Sequence, residues 1–174
     1  MASGDTLLIL SPMCGTPPAT LYATLDTVTG TSTPVEAIPV LDFDDDTQEY
    51  MDFYCVMPSH YSGSTGITVK IVFSAAEAAS DVVAWQAALR RVADDAEDLD
   101  TTAHTYVYNE VIATAPSVIG EVAYDSITFT DGADMDSVVA GDYFILRVTR
   151  DPTPSSGTDV TGDASLHMIE VLDT

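Results

Sequence analysis

The run Asp42-Phe43-Asp44-Asp45-Asp46 places carboxylates at the first, third and fifth positions of a stretch that could open a calcium loop. An EF-hand loop needs glycine at its sixth position and a bidentate glutamate at its twelfth, and this chain has Thr47 and Phe53 there. The motif fails, and the run reads as a solvated turn between two strands. The histidines His60, His104 and His167 are scattered and lack the His-Glu-x-x-His spacing of a zinc site. No Gly-x-Ser-x-Gly elbow, phosphate-cradling loop or dinucleotide fingerprint occurs. Carboxylate pairs are uninformative, because 28 acidic residues guarantee chance pairs that imitate a glycosidase site. No catalytic, cofactor-binding or metal-ligating residue is therefore singled out, and a non-enzymatic protein without a cofactor is expected.

Other side chains with chemical potential have plainer readings. Cys14 follows Pro12 in a Pro-rich stretch and Cys55 sits inside an apolar strand pattern, so two free thiols are expected in place of a bridge. Trp85 could be a sugar-stacking platform, yet it lies in an alanine-rich run that suits a core anchor better. The five basic residues, Lys70, Arg90, Arg91, Arg147 and Arg150, stand against a net charge of -23. With acid in surplus they are expected to form intramolecular ion pairs, in which acids such as Asp151 or Asp163 could hold Arg147 and Arg150. The charge opposes binding to nucleic acid and to anionic membranes, whose phosphates carry the same sign. It suits a solubility surface in saline water.

The elements that position these groups follow from periodicity. Residues 1-34, rich in Thr, Pro, Gly and Ser, read as an extended amino-terminal arm with one strand at Leu21 to Leu25; residues 35-174 form the domain. Met51, Phe53, Cys55 and Met57 share one face, with Asp52 and Tyr54 on the other. Ile67, Val69, Ile71 and Phe73 alternate with Thr68 and Lys70, and Phe144, Leu146 and Val148 form another face of period two. Turn clusters at Ser62 to Gly66, Asp131-Gly132 and Asp151 to Gly157 separate such runs, as in a sandwich or barrel. Ala75 to Leu99 fits either a helix, with Val82, Trp85, Leu89, Val92, Ala96 and Leu99 at three- and four-residue steps and Ser80 or Asp81 as cap, or a strand.

Several segments together resemble one family. They are Tyr22-Ala23-Thr24-Leu25-Asp26, Val40-Leu41-Asp42-Phe43-Asp44, Met57-Pro58-Ser59-His60-Tyr61 and Val82-Val83-Ala84-Trp85. The stretch Leu146-Arg147-Val148-Thr149-Arg150-Asp151, followed by Thr161-Gly162-Asp163-Ala164, completes the set. As a set these resemble a group of jelly-roll virion proteins encoded by tailed phages and marine bacteria. The resemblance implies an all-β, eight-stranded antiparallel jelly-roll with strands near 35-43, 48-57, 67-75, 82-93, 104-114, 120-130, 142-150 and 163-172. It thereby selects strand over helix for 82-93 and allows a short helical turn near Ala75 to Ser80. It further implies a capsid decoration or cement protein on the outside of the virion, binding the major capsid protein, expected as a homotrimer, with no nucleic-acid or membrane partner. The alternative is a tail-associated or receptor-binding module that recognises host glycan.

Overall fold

The computed structural model describes residues 4–77 and 81–174. Among the described residues eleven strands form two antiparallel sheets packed face to face. They are β1 Thr6–Leu10, β2 Gly15–Thr16, β3 Thr24–Thr29, β4 Ala37–Phe43, β5 Tyr50–Val56, β6 Ile67–Ala75, β7 Val82–Val92, β8 Asn109–Thr114, β9 Ala123–Phe129, β10 Tyr143–Asp151 and β11 Ala164–Asp173. One sheet runs β3-β4-β11-β6-β9, with β1 also paired to β11; the other runs β2-β5-β10-β7-β8. This is the expected jelly-roll sandwich, and its eight main strands fall close to the eight expected runs. Among the described residues no helix is long and apolar enough to cross a membrane.

Alternation dictates the core. Ile67, Val69, Ile71 and Phe73 of β6, Phe144, Leu146 and Val148 of β10, and Met51, Phe53 and Cys55 of β5 all point between the sheets and are buried. Residues 82–92 are strand, paired along β10 from Asp151↔Ala84 to Tyr143↔Val92. The helical spacing was a by-product of alanines that suit either state, and pairing on both edges decides for the strand. Residues 78–80, within the helical turn expected near Ala75 to Ser80, lie outside the described residues. Trp85 is fully buried and meets Phe43 and Phe73 edge to face at centroid distances of 5.1 and 5.8 Å. Such pairs add about 0.5–1.5 kcal/mol each beyond area burial. Trp85 is a core anchor and not a sugar platform.

The first 34 residues, expected as an extended arm with one strand, are more fully integrated than that. They carry β1, β2 and β3, which pair with β11, β5 and β4 respectively, so the segment is built into both sheets. Leu7, Leu10 and Ala23 are buried in the core. The prolines that break long elements leave room for short strands, which is all this pairing needs. The strand expected at Leu21 to Leu25 starts later, at Thr24, because Leu21 has a left-handed backbone (φ 55°). At the opposite end, Gly66 adopts φ 105°, and a Cβ there would collide with the Phe129 carbonyl.

Candidate functional site

Directly opposed residues share a face, so the register of β5, β10, β7 and β8 defines the outer surface of the five-stranded sheet. Its rows are Val56, Tyr143 and Val92; Tyr54, Ile145 and Arg90; Asp52, Arg147 and Ala88; then Tyr50, Thr149, Gln86 and Glu110. The alternation that buries Phe53 and Leu146 therefore drives rings, an ion pair and amides outward. Tyr54 and Tyr143 lie nearly parallel, with centroids 6.4 Å apart at 20°, and are 48% and 37% exposed. With Val56, which is 57% exposed, they make an open aromatic and aliphatic end to the face.

The middle of the face is an ordered stack. Asp52 is buried and takes both hydrogen bonds of a bidentate pair from Arg147, Nε to Oδ1 at 2.6 Å and Nη2 to Oδ2 at 2.7 Å. The guanidinium lies 4.1 Å from the Tyr106 ring centroid and 5.5 Å from that of Tyr50. Burial opposes the Arg147 charge, but the hydrogen bonds and charge of Asp52 outweigh it and hold the group cationic far beyond ordinary pH. Tyr106 and Tyr108 come from the segment that joins β7 to β8, in which half-buried His104, Tyr106 and Tyr108 alternate with exposed Thr105 and Val107. The rings run in sequence, His104 to Tyr106 at 4.8 Å, Tyr106 to Tyr108 at 6.2 Å and Tyr108 to Tyr50 at 6.5 Å. Burial pushes the Tyr108 hydroxyl up to about 12 and raises that of Tyr106, so both remain neutral hydrogen-bonding groups.

The far end is polar. Gln86 Nε2 donates to Glu110 Oε2 and to Asp151 Oδ2, each at 2.9 Å, and Gln86 Oε1 accepts from Gln48 Nε2 at 3.3 Å. Ser155 Oγ donates to the second Glu110 oxygen at 2.9 Å. Each planar group holds its neighbour's orientation, leaving fixed acceptors beside the tyrosine row. Over the four residue steps from Tyr50 to Tyr54 the face extends roughly 13 Å along the strand.

Other candidates fall elsewhere. A mainly apolar hollow of about 330 Å³ lies beside β3, lined by Pro12, Met13, Tyr22, Leu25, Leu41 and Met51 among others, and lacks this mixture of rings and fixed polar groups. The acidic turn is drawn into a cluster in which carboxylate oxygens of Asp44, Asp45 and Asp163 lie within 4.8 Å of one another, an all-oxygen set of the kind hard cations take. The turn is tied by its own backbone, since Asp44 Oδ1 accepts from the Asp46 and Thr47 amides at 2.7 Å. Burial and then the neighbouring Asp44 and Asp45 charges raise the Asp163 carboxyl; burial also raises Asp42 and Glu49. His60 is exposed, and His167 shares a hydrogen bond of 2.8 Å with Ser74 on the other sheet, so the three histidines are not brought together. Both cysteines are free, Cys14 exposed and Cys55 buried, where burial pushes its thiol up to about 11.

All five basic side chains are in ion pairs, as expected, but with different partners. Arg147 takes Asp52 and Arg150 takes Asp159, while Lys70, Arg90 and Arg91 take Glu170, Glu97 and Asp142. Asp151 and Asp163, the partners named as examples from the sequence, form neither pair. Arg147 points out of the sheet and Arg150 into the sandwich, where its guanidinium also donates to the carbonyls of Phe43, Gly162 and Val160. The tyrosine face went unrecognised in the sequence, although Tyr54 was already assigned outward and Tyr106 and Tyr108 share its spacing of two.

No family model matches the chain, and no curated protein does. Among solved structures it is similar to a family 35 carbohydrate binding module from Clostridium thermocellum, with 10% identity, a TM-score of 0.57, and 98% of this chain and 100% of that one covered. It is also similar to the carbohydrate-binding module TmCBM27, described for specific mannan recognition, with 8% identity, a TM-score of 0.50 and 99% of each chain covered. At such identities the likeness establishes the jelly-roll fold alone. The expected role as a capsid decoration or cement protein is overturned by it. That role follows from a virion-type jelly-roll, whereas both of these whole-chain matches are carbohydrate-binding modules. The expectations of a major capsid partner and a virion location rested on that role.

Proposed function

We propose that this protein is a non-catalytic module that binds glycan on the outer face of its five-stranded sheet, the chemistry that the receptor-binding alternative calls for. The observation that carries the reading is the exposed Tyr54 and Tyr143 stack, continuous with the Tyr50, Tyr106 and Arg147 layer and the Gln86, Glu110 and Asp151 row. A sugar ring has an apolar face of C–H groups and a rim of hydroxyls. It needs an aromatic surface beneath it and oriented acceptors and donors beside it, a small number of fixed polar groups setting its orientation. This face offers both within one strand length. The fold shared with carbohydrate-binding modules supports the reading.

The test is a glycan array followed by calorimetry on soluble polysaccharides, among them xylan and mannan. Tyr54→Ala and Tyr143→Ala are expected to weaken binding by about tenfold or more each, equivalent to at least about 1.4 kcal/mol. Circular dichroism and Tm stay close to those of the parent, because both rings are exposed. An array without binding, or variants that bind like the parent, would overturn the proposal.

A further inference from the structure

We infer that the glycan this face accepts is an uncharged, hydroxyl-rich polysaccharide, and that carboxylated or sulfated glycans are rejected; the inference rests on the glycan-binding reading above. Recognition of a carboxylate or sulfate calls for an unspent guanidinium or ammonium, arginine's parallel N–H donors being the usual fork. The face has two arginines, and each is engaged by an acid with no free fork turned to the ligand. Arg147 gives Nε and Nη2 to the two oxygens of Asp52, and its flat sides are taken up by Tyr106 and Tyr50. Arg90 donates Nη2 to Glu97 at 2.9 Å, and its Nε, which has no hydrogen-bond partner, is buried away from a ligand. The three remaining cations of the chain are also paired, and none lies on this face.

The groups left to meet a ligand point the same way. Glu110 and Asp151 converge on Gln86 at the polar end, so the fixed groups there are rich in acceptors and negatively charged. They suit donation from neutral hydroxyls. An anionic sugar would bring like charge to them, and would do so against a whole-molecule charge of -23. Tyr54, Tyr143, Tyr106 and Tyr108 supply stacking surface without charge.

The experiment takes whichever of xylan, mannan and galactan binds the full chain best, together with its carboxymethylated derivative of matched length, in EDTA so that no divalent ion bridges acid to acid. Calorimetry is run at about 20 mM and about 500 mM salt, the upper value screening all but the shortest charge separations. The parent polymer is expected to bind with an affinity that changes less than about twofold with salt. The carboxymethylated polymer is expected to bind at least tenfold more weakly at low salt and to recover part of the loss at high salt. Glu110→Lys, which places an unspent ammonium on the face, is expected to shift the ratio of the two affinities at least fivefold toward the carboxylated polymer. Equal or tighter binding of the carboxylated polymer overturns this inference while leaving glycan binding intact. Binding by no polymer and by no array glycan overturns the parent reading, and this one with it.

Discussion

The two outer faces of the sandwich are built from the same alternation and differ in what that alternation was given to display. On the six-stranded sheet the outward residues of β6 and β11 are Thr68, Lys70, Val72 and Ser74 against Ser165, Met168, Glu170 and Leu172. Its ion pair, Lys70 to Glu170 at 3.2 Å, has side chains 35% and 28% exposed, and Lys70 also lies 5.3 Å from the Tyr124 ring centroid. On the five-stranded sheet the ion pair is bidentate, Asp52 is buried, and tyrosines cover it. Solvent weakens the first pair and reaches the second much less, chiefly on the arginine side. One face is a solvated exterior, and the other is an organised surface whose rings, ion pair and amides hold one another in place.

The largest test of this contrast is Asp52→Ala. Removing the carboxylate leaves the Arg147 guanidinium half-buried without its partner, which costs about 3–5 kcal/mol for a buried pair. A urea melt is expected to show most of that loss, and glycan binding is expected to fall with it. The double variant Asp52→Ala with Arg147→Met is expected to recover much of the stability without recovering the binding, since the layer beneath the tyrosines would then be apolar. A double variant as unstable as Asp52→Ala alone would show that the pair is not what orders the face.

Next comes Lys70→Ala on the opposite face. An exposed pair of this kind is worth about 0–1 kcal/mol. The expected result is a loss within that range that shrinks with added salt, and glycan affinity equal to the parent. A loss as large as that of Asp52→Ala would erase the distinction between the faces.

The smallest effect belongs to the acid cluster at the β4 and β11 end of the six-stranded sheet. Asp163 has its carboxyl raised in the folded state from the ordinary 3.8, by burial first and by the Asp44 and Asp45 charges next. A carboxyl raised on folding destabilises the folded chain above its folded pKa. The penalty disappears as pH falls through that value to below 3.8, where both states are protonated. Asp163→Asn is therefore expected to raise Tm at pH 7 by a few degrees or less. The gap between variant and parent should close on acidification, as followed by thermal melts from pH 7 to pH 3.5. A gap that widens on acidification would mean that the carboxylate is stabilised in place, as it would be by a bound cation or an undetected donor.

Much of the scaffold was legible because it depends on local alternation. Ile67 to Phe73, Phe144 to Val148 and Met51 to Cys55 each announce a buried face in their own sequence, and β6 begins where the pattern does and runs two residues past Phe73, to Ala75. The same pattern assigned Asp52 and Tyr54 outward. What it did not reveal was the company they keep. The amino-terminal residues looked like an arm because Pro12, Pro17, Pro18 and Pro34 interrupt them, and nothing local says that β1 will pair with β11 at the other end of the chain. Likewise Arg147 meets Asp52, 95 positions away, while Asp151 serves Gln86 instead.

The amino-acid sequence by itself determined which side of each strand is apolar, that the charge of -23 opposes an approach to phosphate, and that every basic side chain would find an acid. Those are properties of composition and of a two-residue period, which need no knowledge of neighbours. The order of strands in the sheets, and with it the tyrosine face, was decided only in three dimensions. Tyr50, Tyr54, Tyr106 and Tyr143 are spread over nearly 100 positions and become one surface because antiparallel pairing sets β5 beside β10 and the β7 to β8 connection folds over both. Pairing is specified by the packing of whole sheets against each other, an energy no single segment carries.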